Sequence, residues 1–289
     1  MSLLLRINLA LCAVFALVAA LTGIGLRSVL EDNAERQVRA VAALMMDSAL
    51  AARDYTAQEI GPLLSGQMQR EFLPQSIPFY AATEEFLRLH ASRPEYAYQE
   101  ATLNPTNPRD RATDWQVDII QRFRSDPNIR EFVGKRDTPM GRSLFLARPI
   151  RADSGCLTCH GVPANAPATV LARYGRANGF GWEPGDVIGA QVVSVPVASA
   201  VASADLALRT SLAGLAAVFI ALLLVTNLII YFLVVRPVRT MAQIADRLSI
   251  GDTSAAEFPA SGGAEIAALG RAFNRMRKSL DKALKLMES

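Results

Sequence analysis

The stretch TSLAGLAAVFIALLLVTNLIIYFLVV, residues 210–235, contains no charged side chain. A helix of about 20 apolar residues crosses the hydrocarbon core of a bilayer, so this stretch predicts a transmembrane helix. A second uncharged run, INLALCAVFALVAALTGIGL at residues 7–26, predicts another. The alternative for the first run is a cleaved signal peptide, but its apolar part is longer than the usual signal core and its small-residue cleavage site is poor. The two runs set the architecture, because they divide the rest of the chain into a middle region and a tail.

Basic residues beside the two runs predict the orientation. Arg236 and Arg239 follow the second run, and Arg6 precedes the first. Positive charges favour the cytoplasmic side of a membrane. Both termini are therefore expected in the cytoplasm, and residues 27–209 in the periplasm of a bacterial inner (cytoplasmic) membrane. The net charge of +3 is too small to indicate a nucleic-acid-binding protein.

The middle region, residues 27–209, has the pattern of an α+β domain. Residues 27–60 contain neither proline nor glycine and repeat apolar side chains every three or four positions, which predicts a long helix that ends at Gly61-Pro62. TDWQVDIIQRFRSD, residues 113–126, predicts a second helix capped by Thr113. Three stretches rich in β-branched and aromatic residues predict strands: 96–103, 142–150 and 187–198. Strands with flanking helices indicate an α+β fold.

The tail, residues 236–289, predicts two amphipathic helices joined by a connector at residues 250–264. The second helix opens at Glu265 and carries apolar residues at alternating intervals of three and four: Ile266, Leu269, Phe273, Met276, Leu280, Ala283 and Met287. A single helix cannot bury such a seam alone, so we expect a parallel homodimer.

The motif CLTCH, residues 156–160, carries the chemistry. Covalent haem attachment requires two thiols for the two vinyl groups and an imidazole close by for the iron. Cys156, Cys159 and His160 have the spacing of c-type haem attachment, with His160 as the proximal iron ligand. The alternatives are a disulfide, a zinc site or a chance match, and a zinc site lacks a fourth ligand unless His90 supplies it.

Residue types alone do not identify the side chain that binds the iron at its second axial position. The candidates are His90, Met45, Met46, Met68 and Met140. A histidine in a surface turn is more often solvated, and a methionine at helical spacing more often packs in a core. An open position would instead favour binding of a small gas. Arginines that can pair with haem propionates are Arg109, Arg111, Arg142 and Arg148.

These residues together resemble a known family. Residues 27–200 are similar to the haem-bearing, PAS-like periplasmic sensor family once described as a domain of unknown function. The stretches that carry this resemblance are ARDYTAQEIGPLL (52–64), FLPQSIPFYAATEEF (72–86), EATLNPTNPRDRATDW (100–115), DTPMGRSLFLARPI (137–150), CLTCHG (156–161) and GFGW (179–182). Residues 212–289 resemble a membrane helix followed by a HAMP signal-relay module.

The resemblance implies a PAS-like antiparallel sheet with flanking helices, between two transmembrane helices and followed by a helical HAMP coiled coil. It also implies haem c held by Cys156, Cys159 and His160, and a second axial ligand from the N-terminal helix. Some members use cysteine there. Apart from Cys156 and Cys159 this chain has no cysteine outside the membrane runs, so Met45 or Met46 is the expected ligand.

The expected function is signalling rather than catalysis. The resemblance implies a membrane-bound sensor that detects redox state or a small gas at the haem and relays it through HAMP. Neither GxGxxG nor GxxxxGK occurs, and His90 and His160 both lie outside the cytoplasmic tail, so an enzymatic output is not expected. The signal would pass to a separate cytoplasmic partner, unless the chain is a truncated receptor. The alternatives are a membrane-anchored c-type cytochrome for electron transfer and a haem-free chemosensor that binds a small ligand.

Overall fold

The computed structural model describes residues 3–252, 254–260 and 263–288, and the chain forms two compact units. One unit is Leu26–Leu208, and the other combines Met1–Gly25 with Arg209–Ser289. The helices are α1 Leu3–Tyr55, α2 Gly61–Met68, α3 Pro78–Ser92, α4 Asp114–Ser125, α5 Leu157–His160, α6 Ala168–Tyr174, α7 Ala198–Ile230, α8 Arg236–Ser249 and α9 Ala264–Glu288. The strands are β1 Ala97–Thr102, β2 Phe132–Thr138, β3 Gly141–Arg151 and β4 Val187–Pro196.

The four strands form one antiparallel sheet in the order β1-β4-β3-β2. The register places Glu100 opposite Gln191 and Leu146 opposite Val193. Side chains alternate between the two faces of a strand, so Tyr98, Glu100 and Thr102 of β1 lie on the same face. This register brings polar residues of β1 and β4 together in the middle of the sheet.

Helices cover both faces of the sheet and bury its apolar side chains. On one face, Met46 of α1 packs in a cluster with Leu144, Leu146 and Val193. On the other face, the buried α4 side chains Ile119, Ile120 and Phe123 pack against Phe145, Ala147 and Val192. The first turn of α4 is fixed by Gln116, whose side-chain oxygen accepts the backbone N–H of Thr113 at 2.9 Å. The α+β prediction is therefore confirmed.

Two features of this unit differ from the sequence-based expectation. The helical path does not stop at Gly61-Pro62, because a π-helical turn at Thr56–Ile60 connects α1 to α2. Pro62 lies in the first turn of α2, where its missing N–H has no intrahelical acceptor to lose. Strand β2 was not expected, because FVGKRDT is polar and contains glycine.

The other unit contains the uncharged runs and the tail. Both runs lie within helices long and apolar enough to cross a membrane, with mean hydropathy of 2.5 and 2.8. Asn8 of α1 and Asn227 of α7 exchange two amide hydrogen bonds, each 2.9 Å long. Phe15 and Phe219 stack with ring centroids 3.9 Å apart. The two helices therefore make one polar and one aromatic contact along their length.

The tail folds as two helices with the connector packed against them. Met241 and Ile244 of α8 form a buried cluster with Phe258 of the connector, and Phe273 of α9 stacks on Phe258 at 5.0 Å. The Asn274 side chain holds the backbone of Phe258 through two hydrogen bonds of 2.9 and 2.8 Å. The predicted seam positions Ala283 and Met287 lie outside the described side chains.

Candidate cofactor-attachment site

The motif CLTCH forms a single helical turn just after β3. The Asp153 carboxylate accepts the backbone N–H of Cys156 at 3.0 Å, which holds the pKa of Asp153 below its usual value. The backbone N–H of His160 then donates to the Cys156 carbonyl at 3.0 Å. Cys156, Cys159 and His160 therefore lie on one helical turn.

The GFGW stretch folds back and closes against this turn. The N–H of Gly181 donates to the Gly161 carbonyl at 2.9 Å, and the N–H of Trp182 donates to the His160 carbonyl at 3.2 Å. Gly179 has a φ of +80°, and a Cβ atom there would lie 1.9 Å from the Thr106 hydroxyl oxygen. Glycine is therefore required at 179, both by the left-handed backbone and by the close approach of Thr106.

The imidazole of His160 is fixed by three neighbours. Its Nδ1 atom lies 2.7 Å from the Gly179 carbonyl oxygen and 3.3 Å from the Thr106 hydroxyl. Its ring stacks on Trp182 with a centroid distance of 4.0 Å and an interplanar angle of 11°. A carbonyl can only accept a hydrogen bond, so Nδ1 carries the proton and Nε2 keeps its lone pair.

Burial favours the neutral imidazole. It lowers the pKa of His160, while the hydrogen bond to Gly179 opposes this in part. A neutral ring with Nδ1–H bound to a backbone carbonyl is the form in which histidine binds metals through Nε2.

The two thiols are free and partly buried. Burial raises the pKa of Cys156 and of Cys159. A raised pKa lowers the thiolate fraction, whereas redox-active CxxC motifs depress the pKa of one cysteine. The surroundings of the thiols thus give no support to a catalytic disulfide. Within residues 3–252, 254–260 and 263–288, no group of three or more His, Cys, Asp or Glu side chains is arranged to hold a metal ion.

The structure places Met45, Met46 and Arg148 in other surroundings. Met45 and Met46 are buried in the apolar cluster between α1 and the sheet, and Met46 has no exposed surface. The guanidinium of Arg148 pairs with Asp47 at 2.8 Å and with Glu131 at 3.1 Å. Their proposed roles as axial ligand and propionate partner stay predictions.

The other candidates from the sequence are also engaged elsewhere. Nδ1 of His90 lies 2.8 Å from the Tyr96 carbonyl oxygen. The Met68 sulfur accepts the backbone N–H of Leu73 at 3.2 Å, and Met140 is exposed. Arg109 pairs with Glu84 at 3.0 Å, and Arg142 pairs with Asp137 at 3.2 Å.

A cavity of about 490 Å³ lies beside the site. Its wall includes Phe72, Tyr80 and Tyr174, with Arg109 and Arg173 as cationic groups. Asn107 also lines it, directly after Thr106, which contacts the His160 ring. This volume is within the range of small-molecule and cofactor sites.

Several residues of the site were not assigned by sequence reasoning. Trp182, Gly179 and Thr106 lie within stretches that carry the family resemblance, but none of them was given a role. Their contact with His160 depends on loops that lie 54 and 19 residues away along the chain. The short GFGW stretch, with two glycines before an aromatic residue, was the available signal of a tight turn against another backbone.

The chain thus has an α+β domain between two helices able to span a membrane, followed by a helical segment. The chain belongs to the Tll0287-like family, whose model matches residues 31–196, and residues 230–282 match the HAMP domain model. The solved structures include a similar chain, described as the crystal structure of the cyanobacterial heme-protein Tll0287. Its identity is 18%, the match covers 56% of this chain and 95% of that one, and the TM-score is 0.43. No curated protein gives a significant match.

Proposed function

We propose that this chain is a membrane-bound sensor that carries a covalently attached haem c and relays the state of the haem iron through its HAMP domain. The observation that supports this best is the His160 ring, whose Nδ1–H is held by the Gly179 carbonyl within one helical turn of both thiols. Membership of a family that takes its name from a protein described as a heme-protein also supports it.

The residues present fit a c-type haem. Two cysteines on one turn supply the thiols for two thioether bonds, and the adjacent histidine offers Nε2 to iron. The GFGW loop, which closes against the CLTCH turn, has no room for a side chain at Gly179. A bound haem would supply an iron that changes oxidation state or takes up a small gas.

The residues of the chain would perform three tasks around that iron. Cys156 and Cys159 hold the porphyrin in place, and His160 binds the iron. Gly179 keeps the proton on Nδ1, so that Nε2 stays available, and Trp182 fixes the plane of the ring. The neighbouring cavity offers Arg173 as a candidate partner for the propionates, whereas Arg109 in the same cavity is already paired with Glu84.

The organisation of the chain supports a relay rather than an isolated carrier. We propose transmembrane helices at 7–26 and 210–235, a periplasmic sensor domain at 27–209 and a cytoplasmic HAMP domain at 236–289. The exposed seam residues Leu269, Met276 and Leu280 of α9 support a homodimer. The HAMP domain would pass the signal to a cytoplasmic effector.

The test is a haem stain of the denatured full chain, produced together with a c-type maturation system. The wild type is compared with Cys156→Ala/Cys159→Ala, and Cys12→Ala serves as the matched control because Cys12 lies in the first uncharged run. We expect stain in the wild type and in Cys12→Ala, and its loss in the double variant. An unstained wild type beside a stained control cytochrome from the same cells would refute covalent haem, and the haem-free chemosensor would then be the better proposal.

A further inference from the structure

A second polar site lies on the α1 face of the sheet. Glu100 of β1 is 1% exposed, and its Oε1 atom accepts the Tyr98 hydroxyl at 2.6 Å. Gln191 of β4 in turn donates to the Tyr98 oxygen at 3.1 Å. Within the described residues, the Oε2 atom of Glu100 and the hydroxyl oxygen of Thr102 are buried without a hydrogen-bond partner. Burial of an unpartnered carboxylate oxygen is costly, so this group calls for an explanation.

The cation nearest to Glu100 belongs to α1. The Arg53 guanidinium lies 3.6 Å from Oε2, beyond the usual hydrogen-bond range. It also lies 4.0 Å above the ring of Phe79 on α3. The Arg53 guanidinium thus lies near both the Glu100 carboxylate on the sheet and the Phe79 ring. Its ion pair with Glu100 is only partly formed.

Near neutral pH, the protonated and ionised forms of Glu100 are close in free energy. Burial raises the pKa of Glu100 to about 7, while Arg53 and the Tyr98 hydroxyl oppose that rise and Asp110 adds to it. Burial and the adjacent Glu100 raise the pKa of Tyr98, so the phenol stays protonated and keeps donating. On β3, Arg148 lies opposite Gln191, but its charge is taken up by Asp47 and Glu131.

We propose that Glu100 is a proton-binding site through which the acidity around the sensor domain acts on α1. When Glu100 is ionised, it attracts Arg53 and holds the end of α1 to β1. When a proton from solvent binds Oε2, the carboxyl becomes neutral and its attraction for Arg53 is lost. Arg53 then keeps only its longer-range attraction to Asp153, and the end of α1 is released from β1. The ligand is the proton alone, so no oxidant or co-reactant takes part. The site itself needs no haem, and the inference rests on the proposed function only in taking α1 as the output.

The test measures the position of α1 against the sheet in the full chain, held in lipid nanodiscs. Spin labels are placed at Asp54→Cys on α1 and Asp118→Cys on α4, both exposed. The background is Cys12→Ala, and the chain is produced with a c-type maturation system so that haem attachment blocks the thiols of Cys156 and Cys159. Distances are recorded between about pH 5 and about pH 9, a range that brackets the Glu100 carboxyl. We expect the distance distribution to shift with a midpoint near pH 7.

Variants identify the groups responsible. Glu100→Gln keeps an acceptor for Tyr98 and mimics the protonated acid, so it should show the low-pH distribution at every pH. Arg53→Gln should lose the response and Arg53→Lys should keep it. Glu59→Gln, which neutralises an exposed carboxylate in the turn after α1, is the matched control and should respond as the wild type does. An unchanged pH response in Glu100→Gln would overturn the proposal.

A second measurement keeps the proposal testable if a variant misfolds. Infrared difference spectra of the unsubstituted chain should show one buried carboxyl becoming protonated as the pH falls. A Glu100 that stays ionised throughout contradicts the proposal.

The haem-free Cys156→Ala/Cys159→Ala chain separates this inference from the proposed function. A pH response that persists there while the haem stain fails leaves the proton site intact. A stained chain without a pH response refutes the proton site alone.

Discussion

The backbone conformation at Gly179 decides whether the His160 ring is held. Its φ of +80° is left-handed, and the carbonyl that binds Nδ1 belongs to the same residue. A side chain there therefore disturbs both the loop and the tautomer of the proposed iron ligand.

We predict that Gly179→Ala destabilises the sensor domain and weakens the binding of the haem iron by His160, while the covalently attached haem stays on the chain. The left-handed backbone alone costs about 1–3 kcal/mol, and the close approach of Thr106 adds to it. Thermal unfolding and the absorption spectrum of the haem check this. Gly175→Ala is the control, because Gly175 has the same φ of +80° but no atom within 4 Å of its Cβ position. Equal effects of the two substitutions would show that the Thr106 contact is unimportant.

The raised pKa of Glu100 gives a second prediction, on stability. An acid whose pKa is higher in the folded state binds its proton more tightly there, so folding is favoured below the unfolded pKa and weakens as the pH rises. For a change from 4.5 to about 7 the loss is about 3 kcal/mol. We therefore expect the unfolding temperature to fall between about pH 4.5 and about pH 7.

Tryptophan fluorescence measures this unfolding. Trp115 and Trp182 are the two tryptophans of the chain, and both belong to the unit Leu26–Leu208. Glu100→Gln should flatten the pH dependence in this window. If the slope is the same in wild type and variant, other carboxyl groups are responsible.

For individual helices and strands, the local sequence pattern predicted those segments whose structure does not depend on a distant partner. The expected strands at 96–103, 142–150 and 187–198 are observed as β1, β3 and β4, and the helix at 113–126 as α4. Strand β2 was not predicted from the sequence because its pairing depends on a distant partner. Gly134 lies beneath the ring of Phe145, where a Cβ would come within 2.5 Å of a ring carbon. Read alone, the glycine argued against a strand.

The candidate site shows the same difference between local features, which the sequence predicts, and long-range contacts, which it does not. The spacing of CLTCH pointed to two thiols and an imidazole on one turn, which is a local property. The partners of the imidazole arrive from residues 106, 179 and 182 and follow from the tertiary fold. Burial of Met45 and Met46 against the sheet depends equally on long-range packing.

The Asn8–Asn227 pair allows a prediction for the two membrane helices. In a bilayer an unpaired amide has few alternative partners, and interhelical hydrogen bonds there contribute about 0.6 kcal/mol on average and up to about 1.7 kcal/mol. Asn8→Leu and Asn227→Leu should each weaken the contact between α1 and α7. The double variant should lose less than the sum of the two, because both amides are removed together. The free energies of unfolding in bicelles of the wild type, the two single variants and the double variant measure this coupling. If the two single losses add up to the loss in the double variant, the pair does not couple the helices.

For the molecule as a whole, the exposed part of the seam on α9 predicts packing against a second copy. In one chain Met276 is 60% exposed and Leu280 is 56% exposed, although both belong to the apolar repeat. Such a row of side chains on a HAMP domain is expected to pack against the same row of a partner.

We predict that Leu280→Asp reduces dimer formation of the full chain in membranes and abolishes relay to its partner, while haem content stays unchanged. An apolar seam position that receives a charge loses its burial and brings two like charges together. Chemical cross-linking and haem staining are read on the same samples. Ser279→Asp introduces the same charge at the neighbouring non-seam position and should cross-link as the wild type does. Equal loss in both variants would exclude a specific seam.

The unbroken helix α1, Leu3–Tyr55, has a consequence for insertions and deletions. An α-helix turns about 100° per residue, so one extra residue between Val38 and Met46 would rotate the residues before it by that angle. Val38 and Met46, which both belong to the buried cluster on the sheet, could then no longer face it together. Insertions of seven residues nearly restore the phase. This part of α1 is therefore expected to tolerate changes of length only in steps of whole heptads.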